Sequence, residues 1–170
     1  MEQGLVHLYH GAGKGKTTAA MGLALRALGH GQRVCIVQFA KDGTSGEVEP
    51  LRRLGATVRA GKTDGRFVSE LTDEERARVR TRQDELVRQV AGETWDLVVF
   101  DEACFAVRAG LVDEDVLMTC VRERPGGTEL VLTGRDPAPW MLDVADYVSE
   151  MRCGRHPYGR GIAARKGVEW

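Results

Sequence analysis

Short apolar runs alternate along the chain with longer stretches in which apolar residues recur every three or four positions. The short runs predict strands, because a strand covered on both faces needs apolar residues throughout. The predicted strands are Leu5–Tyr9, Arg33–Phe39, Ala56–Arg59, Leu97–Phe100, Glu129–Thr133 and Tyr147–Met151. Strands that alternate with helices indicate an α/β fold, in which a mostly parallel sheet carries helices on both faces.

The longer stretches have the period of amphipathic helices. The first, Thr17–Leu28, ends at Gly29, a residue type typical of helix C-termini. The residues Thr72–Glu75 predict a capping box that opens a helix reaching about Ala91. The polar, glycine-containing segment Gly61–Ser69 is long enough to act as a lid. Three further helices are predicted at Glu47–Leu54, Asp113–Arg122 and Trp140–Ala145.

Composition narrows the class of protein. With 170 residues, 42% apolar and 29% charged, the chain fits one globular domain over residues 1–170. The formal net charge of -1 argues against a general nucleic-acid-binding surface. The four cysteines show no C-x-x-C spacing, so a zinc site is not expected. Neither a signal peptide nor a membrane-spanning apolar run is seen, which predicts a cytoplasmic protein without a membrane partner.

The most informative segment follows the first predicted strand. It reads Gly11-Ala12-Gly13-Lys14-Gly15-Lys16-Thr17-Thr18. A strand, a glycine-rich turn and a helix start build a cradle of backbone N–H groups for a polyphosphate. Lys16 supplies a positive charge for the outer phosphates, and Lys14 adds a second cation, which favours a polyanionic ligand. Thr17 offers a hydroxyl to Mg²⁺. The pattern G-x-x-x-x-G-K-[ST] is incomplete, because His10 stands at its first glycine.

Polar residues at the carboxyl ends of other strands are expected to complete the site, because ligands of parallel sheets bind at that edge. Asp101 and Glu102 are expected to hold Mg²⁺ directly or through water. The sequence leaves open which of the two is the direct ligand, and whether one merely caps the following turn. Arg135 could brace the far phosphate or form a surface salt bridge. Gln38 and Thr133 are expected at the same edge.

Three other side chains allow more than one interpretation. Phe67 is either a minor core residue or a side chain placed against a large flat ligand. His156 lies in a glycine-rich tail that is either floppy or an ordered flap. His10 suits a hydrogen-bonding wall beside the phosphate loop better than a metal site.

Further motifs run nearly from end to end. They are Gly29-His30-Gly31, Val37–Lys41, Leu97–Glu102, Arg124-Pro125, Leu132–Arg135, Ala145-Asp146, Glu150-Met151, His156-Pro157 and Ala164–Glu169. Together with the phosphate loop, this ordered set resembles the ATP:corrinoid adenosyltransferases of bacterial cobalamin synthesis. The resemblance implies a RecA-like P-loop fold, commonly a homodimer. It also implies transfer of the 5′-deoxyadenosyl group of ATP to Co(I) of a reduced corrinoid, with release of triphosphate, in adenosylcobalamin synthesis or salvage.

The implied chemistry suits the residues found. Co(I) is itself the nucleophile, so the protein's task is positioning and charge neutralisation rather than activation of a side chain. Lys14, Lys16, Arg135 and Mg²⁺, or Mn²⁺ in its place, would stabilise the departing triphosphate. Thr17 and Glu102 look like the metal-facing pair of the family. A separate reductase could supply electrons to the corrinoid.

The sequence also departs from the family pattern. Phe67 matches the first of two lid aromatic residues that act on the lower ligand of cobalamin, but Ser69 stands at the second position. Either the mechanism that acts on the lower ligand therefore differs, or the substrate is an incomplete corrinoid that lacks this ligand. Phe67 and His156 are the expected contacts of the corrinoid. Ala12 replaces an asparagine or aspartate of the cradle, and His10 a common threonine. The N-terminal extension of the family is not expected to shield the site.

Two other functions remain compatible with the residues. The same scaffold could serve an ATPase in which Glu102 orients water and orthophosphate is released. A non-catalytic corrinoid or nucleotide sensor is the other alternative, motivated by His10 and Ala12 in the cradle.

Overall fold

A six-stranded parallel sheet forms the centre of the computed structural model, which describes residues 3–61 and 70–169. The strands pair in the order β3-β2-β4-β5-β1-β6. Their bounds are β1 (Val6–His10), β2 (Val34–Phe39), β3 (Thr57–Gly61), β4 (Leu97–Asp101), β5 (Glu129–Gly134) and β6 (Tyr147–Glu150). The predicted α/β class and parallel sheet are confirmed, and the order agrees with a RecA-like P-loop fold.

Within the described ranges, six α-helices accompany the sheet. They are α1 (Lys16–Gly29), α2 (Val48–Arg53), α3 (Asp73–Ala91), α4 (Ala103–Arg108), α5 (Glu114–Arg122) and α6 (Pro139–Val144). The predicted capping box is confirmed, since the Thr72 hydroxyl accepts the Glu75 N–H and the Glu75 carboxylate accepts the Thr72 N–H. Helix α4 was not predicted, because it begins directly after β4 at Glu102, with no Gly, Pro or typical N-cap residue to mark its start.

Helices cover both faces of the sheet, as the sequence predicts. On one face α1 and α2 pack through residues such as Ala24 and Leu51 against Ile36 and Val99. The other four helices pack on the opposite face, which is the larger core. Alternating strand residues enter the two clusters, because successive side chains of a strand point to opposite faces. This packing fixes the helices and leaves the carboxyl ends of the strands for a ligand.

Strand β5 lies between β1, which leads into the glycine-rich loop, and β4, which carries the acidic pair. Two strand spacings separate β1 from β4, about 10 Å. Side chains from α1 and β5 therefore have to bridge that gap.

The chain after β6 follows a defined path across the loop side of the molecule. Met151 N donates to the carbonyl of His10, which extends the β6 pairing beyond the strand. A short 3-10 turn follows at Pro157–Arg160, and Gly161 leaves it with a positive φ of 74°. Of the two tail interpretations, the ordered one agrees with this path. Within the described ranges, none of the helices combines the length and hydropathy needed to cross a membrane.

Candidate active site

The glycine-rich loop folds around the ammonium group of Lys16. This side chain is only 9% exposed, and its Nζ donates to the carbonyls of Gly11 at 2.8 Å and Gly13 at 2.6 Å. Burial lowers the pKa of Lys16, an effect that the negative field of Glu102 partly offsets. The loop turns into α1 through Gly15, whose φ of 117° favours glycine. An anion bound in the loop would therefore compete with the loop's own carbonyls for this ammonium.

Two glycines of the loop are also required by the tail that crosses it. Gly13 N donates to the carbonyl of Met151 at 2.6 Å. A Cβ at Gly13 would lie 2.6 Å from that same oxygen and 2.8 Å from the carbonyl oxygen of Arg152. At Gly11 a Cβ would lie 2.7 Å from the Met151 oxygen. Since these neighbours are backbone atoms, a side chain at either position would push the tail away from the loop.

Asp101 is the centre of a buried hydrogen-bond network. Its carboxylate is fully buried, and Oδ1 accepts from the hydroxyls of Thr17 at 2.8 Å and Thr133 at 2.7 Å. The Thr133 hydroxyl in turn accepts the backbone N–H of Glu102 at 2.9 Å. The other carboxylate oxygen, Oδ2, accepts from Lys41 Nζ at 2.6 Å. One carboxylate thus ties together the start of α1, the end of β5 and the residues after β2.

Glu102 directly follows Asp101 but has a different setting. Its φ of 61° lies in the left-handed region, and its half-buried side chain lines the cavity beside the loop. Burial, and next the negative charge of Asp101, raise the pKa of its carboxyl group. The two acids are therefore inequivalent, since Asp101 is already bonded to Thr17 whereas Glu102 faces the cavity.

The oxygen atoms at this edge suit a Mg²⁺ ion. Thr17 and Asp101 supply a hydroxyl and a carboxylate oxygen 2.8 Å apart, with Glu102 as the neighbouring acid. Among residues 3–61 and 70–169, no group of three or more His, Cys, Asp and Glu side chains could hold a metal by itself. Mg²⁺ usually takes one or two carboxylates and completes its shell with phosphate oxygens and water.

Lys41 was not assigned a role by the sequence, although the motif Val37–Lys41 contains it. The chain leaves β2 through Ala40, whose φ of 54° is left-handed, and this turn carries Lys41 toward the neighbouring strand β4. Burial alone would lower the pKa of Lys41, but its attraction and hydrogen bond to Asp101 outweigh that effect and raise it. A lysine that follows the strand beside an acid-bearing strand is the signal that could have identified it.

A cavity of about 800 Å³ adjoins these groups. Its walls come from the loop at Lys14–Thr18, from residues between Ala40 and Glu47, and from the tail at Gly167–Glu169. The volume lies within the range of ligand pockets, about 300–1,000 Å³. A second cavity, of about 410 Å³, lies between α3 and α5 and is lined mainly by apolar residues. The first cavity suits a phosphorylated ligand, because it contains the lysines of the loop.

The tail closes its side of this cavity with a turn at residues 165–169. Arg165 forms an ion pair with Glu169 at 3.0 Å, and Arg165 N also donates to that carboxylate at 2.8 Å. These bonds to Arg165 lower the pKa of Glu169 to about 2. The sequence placed the motif Ala164–Glu169 within the resemblance but did not predict that it would form a wall of the site.

The predicted site residues do not all meet at the cavity. Lys14 is exposed and lines it with Lys16 and Thr17, whereas Arg135 is exposed just after β5 and is not part of its lining. His156 is exposed, and its Nδ1 accepts Tyr158 N at 3.2 Å, so it caps the 3-10 turn outside the cavity lining. Phe67 lies outside the described residues. The roles of these side chains stay predictions.

Comparison with known proteins places the whole chain in one group. Residues 2–170 match the family model described as ATP:corrinoid adenosyltransferase BtuR/CobO/CobP. A corrinoid adenosyltransferase of Pseudomonas aeruginosa is 36% identical over 172 residues, which cover 99% of this chain and 85% of the relative. The Escherichia coli K12 protein of the same name is 33% identical over 171 residues, covering 99% and 87%. Corrinoid adenosyltransferase CobA of Salmonella typhimurium has the same identity and coverage.

Proposed function

The chain belongs to the ATP:corrinoid adenosyltransferase family, and from this membership we propose that it adenosylates a reduced corrinoid at cobalt. In the proposed step Co(I) supplies an electron pair to C5′ of ATP and a cobalt–carbon bond forms. The C5′–O5′ bond breaks, its electron pair leaves with triphosphate, and the cobalt becomes formally Co(III). The chain thereby acts as a transferase with ATP and a corrinoid as its substrates.

One structural observation supports this proposal independently of the family membership. Lys14, Lys16 and Lys41 all line the same cavity, beside the hydroxyl of Thr17. Three ammonium groups suit a leaving group of three linked phosphates, because cations positioned beside the leaving group stabilise its developing negative charge.

Each polar group then has a proposed role. Lys14 and Lys16 bind the phosphates, and Arg135 reaches the triphosphate from the end of β5. Thr17 faces Mg²⁺, or Mn²⁺ in its place, together with Asp101 or Glu102. Bound there, the metal would neutralise part of the phosphate charge.

The corrinoid side of the proposal depends on fewer observations. Phe67 and His156 are its proposed contacts, and Ser69 in place of a second aromatic residue favours a corrinoid without a lower ligand. We further propose that residues 1–170 act as one domain in a homodimer, that a separate reductase supplies electrons, and that the reaction occurs in the cytoplasm, where ATP is available.

An anaerobic assay tests the function. The protein is incubated with ATP, Mg²⁺ and a chemically reduced corrinoid, and both the cobalt–carbon absorption spectrum and the phosphate products are measured. Adenosylcorrinoid and triphosphate in equal amounts support the proposal. Orthophosphate without a cobalt–carbon bond would indicate an ATPase, and ligand binding without turnover would indicate a sensor.

A further inference from the structure

Lys41 forms a direct ion pair with Asp101, one of the two acids predicted to hold the metal. Its Nζ lies 2.6 Å from Asp101 Oδ2, and the Asp101 side chain is fully buried. The opposite oxygen of the same carboxylate is bonded to Thr17 and Thr133. The charge of Asp101 is therefore balanced by an ammonium group of the protein itself.

The same ammonium group can also meet a ligand in the cavity. The Lys41 side chain is 26% exposed, and the residue lines the cavity together with Lys14 and Lys16. Lys41 thus has a buried anion on one side and a space suited to phosphates on the other. Lys16, by contrast, is bonded to carbonyls of the loop.

A metal ion held by Thr17 together with Asp101 or Glu102 would lie close to the ammonium of Lys41. Two cations within about 5 Å of each other repel even at a partly solvated site, and Lys41 would have to share Asp101 with the metal. Without phosphates, the other acids whose charge acts on Lys41 are Glu102 and Glu47, and Glu102 is itself a candidate metal ligand. A triphosphate in the cavity supplies a further anion, so the ammonium is free to leave Asp101.

We propose that Lys41 is the counter-ion of Asp101 in the nucleotide-free protein and moves to the phosphates when metal and ATP bind together. Lys41 is then a positioning residue that makes metal binding conditional on the nucleotide. The inference rests on the proposed function only for the identity of that nucleotide.

Binding of Mn²⁺ to the protein without nucleotide tests this directly, with free Mn²⁺ measured by electron paramagnetic resonance. We expect Lys41→Met to bind Mn²⁺ at least about tenfold more tightly than the unmodified protein, because the competing cation is gone. Lys41→Arg, which keeps the charge, is expected to behave like the unmodified protein. Lys14→Met removes a cavity cation that is not bonded to Asp101, and its effect is expected to be less than about threefold.

A second measurement adds ATP. Lys41→Met is then expected to bind Mn²⁺–ATP less tightly than the unmodified protein, since the phosphates have lost one cation. In the double variant Lys41→Met/Asp101→Asn, the tightening without ATP is expected to vanish. If Lys41→Met does not fold, Lys41→Gln, which keeps a hydrogen-bond donor without the charge, takes its place in both titrations.

Unchanged, weaker or unmeasurable Mn²⁺ binding by folded Lys41→Met without ATP would overturn the inference. Tightening by Lys14→Met to the same degree would overturn it as well, because the effect would then be a general one of cavity charge. The titration uses neither corrinoid nor turnover. If the unmodified protein forms no cobalt–carbon bond, that result counts against the proposed function. It does not affect the comparison of Mn²⁺ binding between the variants.

Discussion

Replacing Thr133 by valine removes the hydroxyl that joins Asp101 to the backbone of Glu102. The shape of the side chain is nearly kept, but two buried groups each lose a hydrogen-bond partner. Water cannot replace that hydroxyl easily, because Thr133 and Asp101 are both fully buried. The variant therefore isolates the energetic contribution of the network around Asp101.

The expected loss follows from the two bonds. The neutral bond from Glu102 N, at 2.9 Å, contributes about 1 kcal/mol, and the bond to the charged Asp101, at 2.7 Å, about 1.5–3 kcal/mol. Asp101 keeps its bonds from Thr17 and Lys41, so the lower half of the sum applies. We expect Thr133→Val to lower the free energy of unfolding by about 2.5–3 kcal/mol.

Urea unfolding of the nucleotide-free protein measures this difference. Thr133→Ser is the matched control, because it keeps the hydroxyl and loses one methyl group, at a cost of about 1 kcal/mol. We also expect Thr133→Val to weaken Mg²⁺–ATP binding more than Thr133→Ser does. A valine variant within about 0.5 kcal/mol of the unmodified protein would refute the reasoning.

Three further predictions concern the loop, the division of roles and the thiols. Gly13→Ala is expected to lower the free energy of unfolding by about 1–3 kcal/mol, because its Cβ would lie 2.6 Å from the Met151 oxygen. The control Gly22→Ala places its Cβ in open space and should raise the free energy of unfolding by about 0.4–1 kcal/mol. Thermal unfolding compares the two variants, and equal shifts would contradict the close contact between Gly13 and Met151. Lys16→Ala should nearly abolish turnover, whereas Phe67→Ala should slow adenosylation and leave ATP affinity largely intact; equal loss of ATP binding would contradict that division. At pH 8 a thiol reagent should label one of four cysteines in the folded protein, the exposed Cys153, and all four after unfolding. The other three thiols are protected by burial. Burial raises the pKa of Cys35 and Cys104 to about 12 and the pKa of Cys120 to about 11.

Local signals explain what the sequence could predict. The glycine-rich loop, the capping box before α3 and the continuous apolar run of β4 each depend on neighbouring residues, so their places in the fold were predicted within a few positions. The parallel sheet then followed, since alternating helices and strands have few other arrangements. The position of Asp101 at the sheet edge was predictable for the same reason.

The features of the site that the sequence did not predict depend on contacts between residues that are far apart in the chain. The bond from Lys41 to Asp101 spans 60 positions of the chain, and the left-handed turn at Ala40 that permits it has no glycine to mark it. The hydrogen bond from Gly13 N to the Met151 carbonyl depends on how β6 pairs with β1. Arg135 follows β5 at the expected edge, but it is exposed and is not part of the cavity lining, so its role stays a prediction.

The fate of the 5′ carbon of ATP tests the proposed reaction most directly. ATP labelled with ¹³C at C5′ is reacted anaerobically with Mg²⁺, the reduced corrinoid and the protein, and the products are followed by nuclear magnetic resonance. We expect the label to appear in a methylene group bonded to cobalt, with one triphosphate released for each. Label that stays in an adenosine phosphate while orthophosphate accumulates would contradict it.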